Sequence, residues 1–176
     1  MAAFEYHHRW PEHEPARSGN QVRRATAQDA EGLCHLLCAC YEDFARTDDF
    51  SRDVVEALKE TRGSLACVLE DIATQHVFVA EGESRIKGMV SVRGNEITRL
   101  YVCPQYQRMG LGSLLFTFAE AFAREGGHLR LFLGAAGRSM LPFYVKMGMR
   151  IDHERKIASG PCAGMTVLVL VKGVGP

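Results

Sequence analysis

The stretch that most constrains the fold is residues 97–124, which has the pattern of a strand, a tight turn and a long helix. Residues 97–102 are rich in β-branched and aromatic side chains, and Pro104 ends this predicted strand because proline cannot donate to a sheet ladder. Gly110 and Gly112 follow in a turn that opens an apolar helix. Such a turn aims backbone N–H groups and the positive end of a helix dipole at one point. It therefore predicts a binding site for an anion, most simply a phosphate.

The segments around this stretch predict an α+β fold. We expect a mixed, mostly antiparallel sheet of six to seven strands, with helices on both faces and one central parallel strand pair. The parallel pair follows because the long helix joins the central strand to the next one. The predicted strands are residues 21–24, 76–81, 85–92, 97–102, 128–133, 149–156 and 165–171. Besides the long helix, which ends near residue 124, the predicted helices are residues 26–44, 51–63, 64–72 and 138–147, with a strand as the alternative for residues 65–69.

Length and composition favour one soluble domain. The chain has 176 residues, of which we assign 1–20 to a loose N-terminal arm and 21–173 to a single domain. Lys plus Arg and Asp plus Glu number 21 each, so the basic excess of a nucleic-acid-binding protein is missing. No apolar run approaches the roughly 20 residues that span a bilayer, so no membrane partner is expected. No secretory signal is recognisable, and we expect a cytoplasmic protein with reduced cysteines.

The cysteines near the start of the domain raise the question of a metal site. Cys34, Cys38 and Cys40 accompany His35 in the first predicted helix. Cys34 and Cys38 share a helix face with leucines, and no second Cys/His pair at zinc-ligand spacing follows. Free cysteine is also a common core residue. The pattern therefore favours a buried helix, and we expect no metal.

Taken together, these residues resemble the GNAT N-acetyltransferase superfamily, which uses acetyl-CoA. The signature of that family, Q/R-x-x-G-x-G/A at the start of a helix, is matched in register by Gln107, Gly110 and Gly112. Residues 143–149, Phe-Tyr-Val-Lys-Met-Gly-Met, are similar to the family's F-Y-x-x-x-G-F segment. The resemblance spans about residues 21–171 in order. It implies transfer of an acetyl group from acetyl-CoA, as co-substrate, to a primary amine.

One departure from the family pattern concerns the donor site. The family often has asparagine seven positions before the tyrosine and alanine four positions before it. This chain has Gly137 and Met140 at those positions, counted from Tyr144. Gly137 has no side chain to hydrogen-bond the pantetheine arm. That contact must be lost or supplied from elsewhere.

The predicted donor site combines the turn with the strand before it. Main-chain N–H groups of the turn suit the pyrophosphate, with Arg108 adding charge and the Ser113 hydroxyl adding a donor. Main-chain groups of residues 100–102 suit the amide-bearing pantetheine arm, which can pair like an added strand. A dinucleotide fingerprint needs a third glycine where Leu115 stands, and the Gly-Lys-Ser/Thr triplet of a P-loop is missing. The predicted cofactor-binding residues are Leu100, Tyr101, Val102, Gln107, Arg108, Met109, Gly110, Leu111, Gly112, Ser113 and Tyr144.

Acetyl transfer to an amine needs two proton movements. An alkyl amine with a pKa of about 10.4 is mostly protonated at neutral pH, so a base or a water chain must remove a proton. The leaving thiolate benefits from a donor, and Tyr144 matches the family's general acid, although a tyrosine that only packs under the ligand is the alternative. Glu96, at the start of the central strand, is the predicted base, with His76 and Glu42 as alternatives.

The acceptor is not specified by the sequence, and a small-molecule or protein amine fits equally well. The acidic side chains between the first two helices either form a solvated surface or attract a cationic substrate. Two other interpretations stay open: a non-catalytic CoA-binding sensor or partner-binding subunit, and a phosphate-ligand protein unrelated to CoA. The last strands are available for pairing two chains, so a homodimer is a further possibility. The acidic residues are Glu42, Asp43, Asp48 and Asp49.

Overall fold

The computed structural model describes residues 19–160 and 162–175. The predicted arm, residues 1–20, lies outside the described residues except for Gly19 and Asn20. Asn20 is buried, with 6% of its surface exposed. Within the described ranges, no helix is both long and apolar enough to cross a membrane.

Seven strands form one sheet in the order β1-β2-β3-β4-β5-β7-β6. Every neighbouring pair is antiparallel except β4 and β5, which are parallel. The predicted α+β class, with one central parallel pair in a mostly antiparallel sheet, is therefore confirmed. The strands are β1 (Gln21–Arg24), β2 (His76–Gly82), β3 (Arg85–Arg93), β4 (Glu96–Val102), β5 (Arg130–Ala135), β6 (Arg150–Lys156) and β7 (Thr166–Gly173).

The first three helices begin next to residues whose side chains can cap them. Thr26 and Asp29 form a capping box before the first helix, and the Ser51 and Ser64 hydroxyls accept backbone N–H groups at the next two helix starts. Residues 65–69 are helical, so the alternative of a strand there is wrong. The helices are α1 (Ala30–Thr47), α2 (Arg52–Thr61), α3 (Leu65–Thr74), α4 (Leu111–Glu125) and α5 (Leu141–Lys146).

β5 begins two residues later than the sequence pattern predicts. The N–H of His128 donates to the Ala123 carbonyl at 3.0 Å, and Gly127 has a φ of +77°. These features close the end of α4 and keep His128 out of the strand. α5 is also shorter than predicted, because the residues before Leu141 form a turn in which the Leu141 N–H bonds the Arg138 carbonyl.

The sheet separates two hydrophobic cores. One face packs against α4 and α5 around residues such as Leu115 and Phe116, both with no exposed surface. The other face packs against α1, α2 and α3 around Leu33 and Leu37. Both faces of the sheet are thus covered by helices, as the sequence predicts.

A bulge in β4 sets the geometry of the sheet centre. Ser91 of β3 lies opposite Arg99, but the next residue of β3, Val92, lies opposite Ile97, so Thr98 is an extra residue in β4. β4 pairs with β5 only at its first two residues, Glu96 and Ile97. Beyond the bulge, β4 and β5 separate and leave an opening between two neighbouring strands.

A chain of buried polar side chains holds this bulge from one face of the sheet. The guanidinium of Arg99, a residue only 3% exposed, forms an ion pair with Asp71 of α3 at 2.5 Å. The Gln75 amide donates to Asp71, and its oxygen accepts the hydroxyls of Thr98 and Ser91. Because these contacts are partly buried, water competes with them less, and they fix α3 against the bulge.

We expect Asp71→Ala to lower the free energy of unfolding by about 3 kcal/mol, because it leaves the Arg99 guanidinium buried without its carboxylate. Urea unfolding is the measurement. Glu70→Ala is the matched control, since Glu70 precedes Asp71 on the same helix but is exposed. Equal effects of the two substitutions would show that the buried ion pair does not stabilise the fold.

Candidate active site

The opening beside β4 exposes one edge of the predicted donor strand. Leu100, Tyr101 and Val102 pair with β3 on one side, and no strand of the described ranges pairs with their other side. Leu100 and Val102 pack toward α4, whereas Tyr101 packs toward α1 on the opposite face. The free edge can therefore accept an extended, amide-bearing ligand as an added strand.

The glycine turn lies just past the open end of β4. Its backbone has two left-handed residues, Arg108 with φ +63° and Gly110 with φ +86°. Gly110 caps α4, and its carbonyl accepts the Leu114 N–H at 3.0 Å. The N–H groups of the first helical turn have no intrahelical acceptor and are available to an anion. The Gln107 side chain ties the turn to β4 by donating to the Val102 carbonyl at 3.3 Å.

The other predicted residues of the turn have different exposures. Met109 is 63% exposed, whereas Leu111 is 3% exposed and can offer only its backbone to a ligand. A β-carbon on Gly112 would lie 3.4 Å from two ring atoms of Phe143. That distance is ordinary van der Waals contact, so the start of α4 packs directly against α5, the helix that carries Tyr144.

Tyr144 is a buried phenol in α5, with 7% of its surface exposed. Burial, and to a smaller extent the neighbouring phenol of Tyr101, raises the pKa of Tyr144 above its ordinary value. The phenol therefore keeps its proton throughout the physiological range. A protonated hydroxyl can donate to a developing negative charge but cannot serve as a base there.

Tyr101 contacts the group of side chains behind β4. Its ring meets that of Tyr41 edge-on, with centroids 5.8 Å apart. The Tyr41 hydroxyl in turn accepts a hydrogen bond of 3.4 Å from Arg99. Tyr41 and Arg99 are absent from the predicted site. The one signal in the sequence is a charged residue, Arg99, in the middle of an apolar strand.

Each of the three predicted bases is engaged with another side chain. Glu96 starts β4, about 13 Å along the strand from Leu100, and its half-exposed carboxylate pairs with Arg93 at 3.5 Å. The ring of His76 packs against Phe122 at the start of β2. Of these residues, only Glu96 belongs to the strand that borders the opening.

The third candidate base, Glu42, is engaged on the surface. Its carboxylate forms ion pairs with Lys59 and with Arg52, both of α2. Hydrogen bonding to Lys59 lowers the pKa of Glu42. Glu42 therefore links α1 to α2 through ion pairs.

A cleft of about 400 Å³ lies beyond the carboxyl end of β5. It is an open cleft lined by the α1–α2 connection, the β5–α5 connection and the start of β7, and its size suits a small organic ligand. Arg138 reaches out of it toward Glu154, at 3.5 Å. Two of the acidic residues noted in the sequence are in the lining, which consists of Thr47, Asp48, Asp49, Phe50, Ala136, Gly137, Arg138, Ser139, Met165 and Thr166.

The cysteines do not assemble a metal site. Among the described residues, no group of three or more His, Cys, Asp or Glu side chains is placed to hold a metal ion. Cys40 is buried, and its thiol donates to the Val102 carbonyl at 3.4 Å. Its role in the structure is to pack and to hold the end of β4.

Comparisons with known proteins agree with this geometry. The acetyltransferase (GNAT) domain family matches residues 46–163. A GCN5-related N-acetyltransferase from Rhodopseudomonas palustris is similar in structure, with a TM-score of 0.81 and 22% identity over 89% of this chain and 96% of that one. The PaiA N-acetyltransferase of Thermoplasma acidophilum, in complex with coenzyme A, has a TM-score of 0.69 and 17% identity, covering 88% and 98%.

A third similar structure is YncA of Salmonella typhimurium with acetyl-CoA, at a TM-score of 0.64 and 16% identity, covering 89% of this chain and 95% of that one. No curated protein matches by sequence. At these low identities the structural matches establish the fold, and the family match establishes the relationship.

We expect a spectrophotometric pH titration to show phenols that ionise only above the ordinary value of about 10. Burial raises the pKa of Tyr41, Tyr101 and Tyr144. Because the folded state holds these protons more tightly than the unfolded state, the free energy of unfolding keeps its full value below about pH 10 and decreases as the pH rises further. Tyr144→Phe should remove one late-ionising phenol, and loss of an early one instead would contradict its burial.

Proposed function

Because the chain belongs to the GNAT acetyltransferase family, we propose that it binds acetyl-CoA and transfers the acetyl group to a primary amine. The observation that carries this proposal is the open edge of β4, which has the Gly110 turn at its end and Tyr144 beside it. These three features lie in the same order as the parts of acetyl-CoA. The anion site corresponds to the pyrophosphate, the strand edge to the amide-bearing pantetheine arm, and the proton donor to the thioester.

The pyrophosphate is assigned to the turn and the first residues of α4. Backbone N–H groups of Leu111, Gly112 and Ser113 point out of the helix start, where the helix dipole favours negative charge. Exposed Arg108 adds a positive charge beside them. The left-handed backbone at Gly110 brings these groups to one side of the turn.

The pantetheine arm is assigned to the free edge of Leu100, Tyr101 and Val102. Its amides pair with backbone groups of β4 where β5 has moved away. This direction leads the thioester from the turn toward the middle of the sheet. There it meets Tyr144 on one side and the cleft beyond β5 on the other.

The chemical step is a direct attack of the neutral amine on the thioester carbonyl. A carbon–nitrogen bond forms, the carbon–sulfur bond breaks and the sulfur leaves with the bonding pair. Tyr144 donates its proton to this sulfur and regains one from solvent after the thiol leaves; burial keeps the phenol protonated at neutral pH, so the proton is in place when the thiolate forms. Glu96 is the proposed base, and its exposed position implies that water carries the amine proton to it.

We expect Gly110→Ala to weaken CoA binding about tenfold, because alanine resists the positive φ that orients the turn. Calorimetry with CoA measures this. Gly94→Ala is the matched control: Gly94 has φ +60° in the β3–β4 turn, and neither glycine has an atom within 4 Å of an added β-carbon. Equal CoA affinities of the two variants would remove the turn from the site.

We expect the protein to release thiol from acetyl-CoA when a suitable amine is supplied, and Tyr144→Phe to lower kcat about 100-fold with little change in CoA affinity. Tyr106→Phe makes the same chemical change on a different tyrosine and serves as the control. The assay uses a thiol reagent with a panel of amines, including polyamines, amino acids, aminoglycosides and peptides.

Three other results of this assay each have a meaning. An unchanged kcat in Tyr144→Phe would exclude it as the proton donor. Calorimetric binding of CoA without amine-dependent thiol release would favour a non-catalytic CoA-binding protein. Failure to bind CoA at all would leave a phosphate ligand of another kind.

A further inference from the structure

The carboxylate of Asp48 joins two distant segments at the rim of the cleft. Asp48 follows the last residue of α1, and its Oδ1 accepts the backbone N–H of Ser139 at 2.9 Å. Its Oδ2 accepts the hydroxyl of Ser139 at 2.6 Å and that of Thr47 at 3.2 Å. One side chain thus satisfies both donors of a residue 91 positions away.

Gly137 makes room for this carboxylate. A β-carbon on Gly137 would lie 2.5–2.6 Å from Cγ, Oδ1 and Oδ2 of Asp48. Gly137 does not have a positive φ, so its backbone conformation does not require glycine. The space does: the Asp48 carboxylate occupies the volume into which any side chain at position 137 would extend.

The segments joined in this way form most of the cleft wall. Residues 47–50 come from the α1–α2 connection and residues 136–139 from the β5–α5 connection. The first segment has a second anchor in Phe50, which is 9% exposed and stacks on Phe44 with ring centroids 5.3 Å apart. Phe44 in turn contacts Tyr101 of β4, with ring centroids 6.2 Å apart. The position of the cleft wall relative to β4 therefore depends on one polar and one apolar anchor.

The chemistry of the polar anchor favours a carboxylate. Both Ser139 groups donate, and an ionised carboxylate only accepts, so both oxygens can be used at once. With an asparagine there, the amide oxygen can accept from the backbone N–H, but the NH2 group then faces the hydroxyl, which has to accept instead of donate. A charge-assisted hydrogen bond is also stronger than a neutral one.

We propose that Asp48 is a positioning residue and that it acts with Gly137 as one coupled unit, which fixes the wall of the amine-binding cleft. This inference rests on the proposed function, since it assigns the cleft to the acceptor. Neither residue is among the predicted cofactor-binding residues: Gly137 has no side chain to reach the pantetheine arm, and both oxygens of Asp48 accept from Ser139. Breaking the unit should therefore weaken the binding of the amine and leave the binding of CoA unchanged.

The test is a double-mutant cycle of Asp48→Ala, Gly137→Ala and the double variant, made in the full chain. We expect each single variant to raise KM at least tenfold for whichever panel amine wild type uses best. The Kd of CoA, measured by calorimetry, should stay within twofold. The double variant should be no worse than Asp48→Ala, because the added methyl group then has no carboxylate to displace.

Two further variants separate this role from a general effect of charge or folding. Asp53→Asn removes an equal charge from an exposed position of α2 and should leave KM unchanged. Asp48→Asn keeps the shape of the side chain but removes the charge that strengthens both Ser139 contacts, and should give a KM between wild type and Asp48→Ala. A Gly137→Ala effect that persists in full in the Asp48→Ala background overturns the coupling. A rise in the CoA Kd equal to the rise in amine KM overturns the assignment to the acceptor.

Thermal unfolding gives a readout that does not need turnover. Gly137→Ala should lower Tm by about 3 °C in the wild-type background and by less than 1 °C in the Asp48→Ala background. If wild type binds CoA but acetylates no amine, the proposed function fails, and this thermal cycle alone decides whether the two residues are coupled. Equal Tm shifts in both backgrounds would overturn the coupling even if the enzyme is active.

Discussion

The structure depends on how β4 is held after its bulge. An extra residue at Thr98 ends the pairing with β5 after two residue pairs, and without support the backbone there would be free to close the sheet. Support comes from α3, through an ion pair between Asp71 and Arg99 and through Gln75 bonded to Thr98. A buried charge is expensive to maintain unless it is paired. The paired guanidinium of Arg99 next to the bulge therefore indicates that specific contacts maintain the opening in the sheet and that it is not a packing defect.

The opening organises the chemistry because different layers of the fold reach it from different sides. The Gly110 turn reaches it from the end of β4, α5 brings Tyr144 from the face covered by α4, and the cleft lies beyond the neighbouring strand, β5. In the proposed function the donor lies along β4, whereas the cleft assigned to the acceptor is lined by the α1–α2 and β5–α5 connections. The two proposed sites therefore have walls from separate segments, so either can vary without the other.

Local sequence signals are sufficient to predict where several helices and strands begin and end. Capping at Ser51 and Ser64 and the stop at Pro104 predict element boundaries, and the order of elements predicts the sheet with its single parallel pair. The late start of β5 is not predicted by the sequence. The alternating pattern of residues 128–133 by itself indicates a strand, whereas in the structure the His128 N–H bonds the Ala123 carbonyl at the end of α4. The support of the bulge could not be predicted, because it joins Arg99 to a residue of α3 that only the folded chain brings near. The site residues predicted from the motif remain predictions, and for Glu96 the structure adds an ion pair with Arg93.

Gly137 shows why a motif compared position by position can mislead. Seen along the sequence, a glycine where the family often has asparagine is the loss of a polar side chain. In the folded protein, the volume next to the Gly137 α-carbon is filled by the carboxylate of Asp48, which comes from a segment 89 positions earlier in the sequence. A given volume in a site can be occupied by a side chain from a distant part of the chain. The residue whose own side chain would have filled that volume then has to be glycine. The physical question at such a departure is therefore whether the space is empty, and here it is not.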